Sequence, residues 1–225
     1  MIKAVIFDLD NTLIDLMGMK KRSFDAAISA MIKAGMKVKK RKANLILKKL
    51  TKKYGVEYQK IFDELLKEIM GRVDMRILAA GVVAYRKVKR EMIRPYDNVV
   101  PTLKKLKKNV KIIGIVTDAP KFQAWTRLYD MEIDKHFDFV LTKEDTEEKK
   151  LTGIPFKKAI NMLGFKPEEI LVIGDWIKGD ILPAKKLGMK TALARYGRSG
   201  NEIIEKSRCK ADHVIDDISE ILKIV

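Results

Sequence analysis

Polar side chains follow three apolar runs of the sequence, at the point where each run ends. They are, in chain order, Asp8 and Asp10, Thr117 and Asp118, and Asp175 and Asp180. A lysine pair, Lys149 and Lys150, comes before the helical pattern that leads into the third run. Carboxylates, a hydroxyl and an ammonium in one place suit a hard cation together with a phosphate group. Mg²⁺ in particular prefers about six oxygen ligands, which include water and phosphate oxygens.

The three apolar runs read as buried strands of one sheet. After Pro95, short apolar runs alternate with helical patterns, an order that is typical of a parallel sheet covered by helices on both faces. In such sheets, ligands bind beyond the carboxyl ends of the strands, where the strand order reverses. The sequence therefore predicts an α/β fold with a Rossmann-like parallel sheet flanked by helices, and it places the polar side chains at one edge of that sheet.

A helical insertion separates the first strand from the rest of this predicted sheet. Four stripes of apolar residues at helical spacing run through residues 16–94. The stripes are closed by Gly35, Gly55, Gly71 and Pro95. Four amphipathic helices with short connections indicate a small bundle. We therefore predict two domains, a four-helix domain over residues 16–94 and an α/β domain over residues 1–15 and 95–225.

The excess positive charge is concentrated in the helical insertion. The chain carries a formal net charge of +17, and residues 16–94 hold 22 of its 47 Lys and Arg but 7 of its 30 Asp and Glu. Such a basic segment is typical of proteins that bind nucleic-acid backbones. Its apolar stripes are nevertheless those of an ordinary bundle, and basic charge also steers small anions toward an enzyme. We therefore expect a small phosphorylated substrate, and nucleic-acid binding stays the competing hypothesis from another class.

The composition excludes several other kinds of protein. The single cysteine, Cys209, excludes an internal disulfide and a cysteine-rich metal site. No apolar stretch approaches the roughly 20 residues of a membrane span. The opening MIKAVIFDLD has acidic residues where a secretory signal keeps its apolar core. Charged residues reach 34%, as in proteins from hot environments. We expect a cytoplasmic protein of thermophile type with no membrane partner, either a monomer or a homodimer.

Four motifs, in this order along the chain, resemble those of the haloacid dehalogenase superfamily. They are DLDNT at the end of the first strand, a strand that ends in Thr117, a lysine before a helix, and GDWIKGDI at the end of a later strand. The resemblance covers the whole chain and includes a helical cap domain inserted after the first strand. Within the superfamily the chain is most similar to capped phosphatases, near archaeal members that act on glyceraldehyde 3-phosphate. The resemblance implies a Mg²⁺-dependent phosphatase that hydrolyses a small phosphate monoester through an aspartyl-phosphate.

The resemblance gives roles to the residues after the first two strands. Asp8 is similar to the nucleophile that takes the phosphoryl group. Asp10 is similar to the acid that protonates the leaving oxygen and then activates water. Thr117 is similar to the residue whose hydroxyl holds the phosphoryl oxygens, together with neighbouring backbone N–H groups such as that of Asp118.

The resemblance also implies a phosphate-neutralising lysine and a magnesium site. Lys150 stands where the family has its lysine, although Leu151 replaces the usual proline and Lys149 is an adjacent alternative. Asp175 is similar to the metal-binding aspartate, which Asp8 and the backbone carbonyl of Asp10 join as ligands. Asp180 is similar to the second acid of the same motif, which more often reaches the metal through water.

Two further residues depart from the family pattern without removing a chemical group. Trp176 stands where a smaller residue is common, and Ala119 where glycine is common. We expect both to narrow the pocket.

Other activities of the same superfamily use related parts. A haloacid dehalogenase also has an aspartate nucleophile, but it has no use for an acid two residues later. Asp10 and Asp175 therefore argue against a dehalogenase. A phosphomutase uses the same residues and differs mainly in its cap domain, so the sequence leaves this alternative open.

Overall fold

The computed structural model describes residues 1–197 and 211–225, and Cys209 lies outside them. Contacts within the chain divide it into two units. The first comprises Met1–Met17 with Ile93–Val225, and the second, called the helical unit below, comprises Gly18–Met92. Within the described ranges, every helix is too short or too polar to cross a lipid bilayer.

Four helices run through the helical unit. They are α1 (Leu16–Lys33), α2 (Lys40–Tyr54), α3 (Ile61–Met70) and α4 (Met75–Met92). Each helix covers one of the four apolar stripes, and the buried sides of the stripes form one core. Gly55 and Gly71 end α2 and α3 with φ angles of 89° and 73°, which glycine adopts without a steric penalty. The helix limits therefore follow from apolar periodicity and from glycine.

Six strands of the first unit form one sheet in the described part of the chain. They are β1 (Ala4–Phe7), β2 (Ile112–Val116), β3 (Phe139–Leu141), β4 (Ile170–Gly174), β5 (Lys190–Ala194) and β6 (His213–Ile215). The strand order is β3-β2-β1-β4-β5-β6, and every neighbouring pair is parallel. The predicted Rossmann-like parallel sheet is confirmed.

The strand order reverses at β1, which lies between β2 and β4. Phe7 pairs with Ile115 of β2 and with Ile173 of β4, so the three strands end level with one another. The backbone N–H of Asp8 still donates to the carbonyl of Ile173, at 2.8 Å. The chain leaves β1 on one side and returns on the other, which is the arrangement that opens a ligand crevice at the carboxyl ends.

Five helices complete the first unit in the described residues. They are α5 (Val99–Asn109), α6 (Lys121–Asp130), α7 (Lys143–Thr146), α8 (Ile154–Leu163) and α9 (Leu182–Lys186). Ala4 and Ile6 pack in one cluster with Phe156 of α8. Val5 and Phe7 point to the opposite face and are also fully buried. Both faces of the sheet are therefore covered, which explains why its strands read as continuous apolar runs.

Candidate active site

The chain turns sharply where β1 ends. Asn11 has a φ of 62°, in the left-handed region that asparagine tolerates better than most residues. Its backbone N–H donates to the carbonyl of Ile14 at 2.7 Å, which closes the turn. Asp8 and Asp10 are therefore presented at the carboxyl end of the sheet rather than being carried into a longer strand.

Lys150 connects two carboxylates at this edge of the sheet. Its Nζ lies 2.5 Å from Oδ1 of Asp8 and 2.5 Å from Oδ1 of Asp180. Burial by itself lowers the pKa of Lys150, but the charges of Asp180 and Asp8 outweigh burial and hold that pKa above its usual range. Lys150 is 3% exposed, whereas Lys149 is exposed. Of the two candidate lysines, the structure thus brings Lys150 to the carboxylates.

The backbone around Lys150 explains how its side chain reaches the site. Residues Lys150–Thr152 form a 3₁₀ turn that ends at Gly153, whose φ of 79° requires a left-handed conformation. The backbone N–H of Lys150 donates to Oδ1 of Asp118 at 2.8 Å. The carboxylate of Asp118 is thus engaged in holding this turn, so any contact that Asp118 makes with a phosphate would come from its backbone N–H.

Three buried carboxylates form a cluster that could hold a metal ion. One oxygen from each of Asp8, Asp175 and Asp180 lies within 4.8 Å of the others. Burial, with smaller contributions from the charges of Asp8 and Asp175, raises the pKa of Asp180 to about 7, although Lys150 opposes this shift. Three carboxylates and one ammonium leave excess negative charge inside the protein. Oxygen ligands of this kind suit a hard divalent cation.

The carboxylate of Asp180 is placed by an unusual helical turn. The helix predicted after Asp175 is in fact a π-helical turn, Ile177–Ile181, followed by α9. Pro183 has no N–H to donate, so regular α-helical bonding cannot run through this turn. The turn lets the backbone N–H of Trp176 donate to Oδ2 of Asp180 at 3.0 Å. This correction to the predicted helix is functional, since π turns occur often at functional sites.

Two glycines give Asp180 and its turn the space that they need. A Cβ atom on Gly174, the last residue of β4, would lie 2.3 Å from Cγ of Asp180. A Cβ atom on Gly179 would lie 1.9 Å from Cε3 of Trp176. The indole of Trp176 is thus accommodated because glycine stands opposite it.

Thr117 lies at the end of β2 and is buried. Its Oγ1 accepts a hydrogen bond from the backbone N–H of Ala119 at 3.1 Å, and its own N–H donates to the carbonyl of Leu141 at 2.9 Å. The hydroxyl can still donate its proton to an incoming oxygen. Ala119 is also buried, so its methyl group occupies space beside this hydroxyl that glycine would leave open.

Asp10 has a partner that sequence reasoning missed. Nη1 of Arg127, on α6, lies 2.9 Å and 2.8 Å from the two carboxylate oxygens of Asp10. A single arginine in a helix normally faces solvent, so it attracted no attention. The available signal was its position, because Arg127 shares a helix face with the buried residues Ala124 and Leu128. The carboxylate of Asp10 does not belong to the three-carboxylate cluster, and a role for its backbone carbonyl as a metal ligand stays a prediction.

The described site combines three kinds of group at one sheet edge. The carboxylate of Asp8 can act as a nucleophile, the buried ammonium of Lys150 can neutralise an anion, and the acidic cluster can hold a cation. The carboxylate of Asp10 is 20% exposed and is available to exchange a proton with a ligand.

Comparisons with known proteins agree with this geometry. Residues 2–188 match the family of haloacid dehalogenase-like hydrolases. The chain is 33% identical over 225 residues to glyceraldehyde 3-phosphate phosphatase of Methanocaldococcus jannaschii, covering 100% of this chain and 97% of the relative. It is 34% identical over 224 residues to the enzyme of the same name from Pyrococcus furiosus, covering 100% and 93%. Among solved structures, the magnesium-bound HAD-hydrolase YfnB of Bacillus subtilis has a TM-score of 0.70 at 20% identity, covering 99% and 98% of the two chains.

Proposed function

The chain belongs to the haloacid dehalogenase-like hydrolases, and from this premise we propose that it is a Mg²⁺-dependent phosphatase whose nucleophile is Asp8. The observation that carries the proposal is the contact of Lys150 with both Asp8 and Asp180 inside the acidic cluster. A nucleophile, a cation for the phosphate and a set of oxygen ligands for a metal are thereby within reach of one another. Aspartate as a nucleophile requires such neutralisation when the substrate is itself an anion.

The charge of the cluster supports a divalent cation as the cofactor. Three carboxylates against one ammonium leave a buried excess of negative charge, and the raised pKa of Asp180 is one consequence. Asp8, Asp175 and the backbone carbonyl of Asp10 would hold Mg²⁺, with Asp180 acting directly or through water. Bound Mg²⁺ would offset the repulsion between the carboxylate of Asp8 and the phosphoryl oxygens. Zinc is a poorer candidate, because the donors in the cluster are all oxygens.

The first proposed step is transfer of the phosphoryl group to Asp8. A carboxylate oxygen of Asp8 attacks phosphorus, and the bond from phosphorus to the ester oxygen breaks. Lys150 and the hydroxyl of Thr117, with the backbone N–H of Asp118, hold the phosphoryl oxygens while charge moves among them. Asp10 gives a proton to the departing oxygen, so that an alcohol leaves rather than an alkoxide.

The second proposed step is hydrolysis of the aspartyl-phosphate. Asp10, now a carboxylate, takes a proton from a water molecule, which attacks phosphorus. The bond between phosphorus and Asp8 breaks, and inorganic phosphate is released. Both steps use the same acid–base group in opposite directions, so Asp10 must remain close to phosphorus throughout.

We propose that the substrate is a small phosphate monoester, a triose or sugar phosphate, with glyceraldehyde 3-phosphate as the first compound to test. The support is the name of the relatives at 33% and 34% identity over the full chain. The helical unit, Gly18–Met92, is proposed to act as the cap domain that selects among such substrates. Its many cations suit an anionic substrate and provide no aromatic platform specific to nucleic-acid bases.

A substrate panel tests this function. Purified enzyme with Mg²⁺ is given triose, sugar and nucleotide phosphates, pyrophosphate and an aryl phosphate, and inorganic phosphate is measured. We expect release from small sugar or triose phosphates. Conversion into an isomer without phosphate release would indicate a phosphomutase instead. Failure of every ester, together with tight DNA or RNA binding in a gel shift at physiological salt, would replace the proposal with the nucleic-acid hypothesis.

We predict that activity depends on a metal held by Asp175. EDTA should remove activity and Mg²⁺ should restore it, because the excess negative charge of the cluster otherwise opposes an anionic substrate. Asp175→Asn should raise the Mg²⁺ concentration needed for half-maximal activity, as one anionic ligand is lost. The control Asp130→Asn, on an exposed residue at the end of α6, should match wild type. Unchanged activity in rigorously metal-free buffer would exclude the metal assignment.

A further inference from the structure

A buried guanidinium holds the carboxylate of Asp10 from inside the protein. The side chain of Arg127 is 3% exposed, whereas that of Asp10 is 20% exposed. The two distances from Nη1 of Arg127 to the carboxylate oxygens are 2.9 Å and 2.8 Å, so both oxygens are restrained. Arg127 therefore fixes one side of the carboxylate while the other side stays open to a ligand.

A buried arginine at this position is not explained by stability alone. Arg127 lies on the same face of α6 as Ala124 and Leu128, which are fully buried, so an apolar side chain would continue the pattern. Burying a guanidinium requires its desolvation, and replacing a buried ion pair with apolar residues is often neutral or stabilising. A charged residue in a place that suits an apolar one points to a geometric requirement.

We propose that Arg127 is a positioning residue for proton transfer, which keeps the carboxylate of Asp10 where it serves first the leaving oxygen and then the attacking water. The inference rests on the proposed role of Asp10 as acid and base. Arg127 acts only through Asp10, because its side chain is buried and has almost no surface for a substrate. A guanidinium suits this task, since it is planar, stays charged at any working pH and exchanges no proton itself.

The dependence of the rate on the leaving group tests this role. In Arg127→Met, kcat/KM for an alkyl phosphate should fall about 10²-fold, because its leaving oxygen needs the proton of Asp10. For 4-nitrophenyl phosphate the fall should be less than about tenfold, because this leaving group departs without protonation. Arg127→Lys keeps the charge but not the planar fork, so it should give intermediate values and guards against a variant that fails to fold. A purely structural defect would lower both rates by one factor.

A double-mutant cycle tests whether Arg127 works through Asp10. In the Asp10→Asn background, adding Arg127→Met should cause little further loss with 4-nitrophenyl phosphate, because the group to be positioned is already gone. The control Lys121→Met, an exposed change on the same helix, should leave the ratio of the two substrates unchanged. Independent, multiplying losses from the two variants would overturn the proposal.

A crystal structure of Arg127→Met gives a readout that does not need turnover. We expect the carboxylate of Asp10 to leave its wild-type position or to occupy several rotamers. If Asp10 keeps its position without Arg127, the positioning role is wrong even when the enzyme is a phosphatase. If wild type hydrolyses no ester while the variant structure shows a displaced Asp10, the proposed function fails and the structural restraint by Arg127 stands.

Discussion

The variant Asp8→Asn loses turnover by at least about 10⁴-fold, because an amide cannot attack phosphorus and no neighbouring group can replace it. The change keeps the size of the side chain and removes one of three negative charges from a buried cluster, so the fold should persist. Steady-state release of inorganic phosphate measures the activity, and circular dichroism during heating measures the fold.

Two features make the test of Asp8 strict. Asparagine can deamidate slowly to aspartate, so Asp8→Ala serves as a second variant that cannot regain the nucleophile. The control Asp130→Asn makes the same chemical change on an exposed residue outside the site. Activity near that of wild type in a folded Asp8→Ala variant would rule out Asp8 as the nucleophile.

The second large effect is expected from Lys150→Met. Removing one preorganised charge from a site of this kind lowers the rate by about 10²–10³-fold. The same change leaves Asp8 and Asp180 without the ammonium that lies 2.5 Å from each. Loss of one partner of a buried ion pair costs about 3–5 kcal/mol, so the unfolding midpoint should also fall. Added Mg²⁺ should recover part of the lost stability but not the activity, because it binds the folded state and does not replace the ammonium.

The neighbouring lysine provides a matched control. Lys149→Met changes the same residue type one position earlier, on an exposed side chain, and should leave rate and unfolding midpoint nearly unchanged. A large loss in Lys149→Met with little loss in Lys150→Met would mean that the lysine has been assigned to the wrong position.

Much of the fold and most of the candidate site could be predicted because they depend on local patterns. The parallel sheet follows from apolar runs that alternate with helical stripes, and the helix ends follow from Gly55 and Gly71. Asp8, Asp175 and Thr117 could be placed because each directly follows a strand, and the ends of β1, β2 and β4 lie level.

The remaining features depend on contacts between residues that are distant in the sequence. Arg127 meets Asp10 across 117 positions, and its helix offers no pattern that distinguishes a buried arginine from a solvated one. The π turn at Ile177–Ile181 requires Pro183 to interrupt the helix and Gly179 to accommodate Trp176, a combination that propensity alone does not reveal. The choice of Lys150 over Lys149 needed the conformation of the turn that ends at Gly153.

The stereochemical course at phosphorus tests the central claim most directly. A phosphate ester whose phosphorus is made chiral with sulfur and oxygen isotopes is hydrolysed in water of a third oxygen isotope, and the configuration of the product is determined. Transfer to Asp8 followed by attack of water on the aspartyl-phosphate consists of two in-line displacements, each of which inverts phosphorus. The account therefore predicts net retention of configuration. Net inversion would mean that water attacks the substrate directly, and it would contradict Asp8 as the nucleophile.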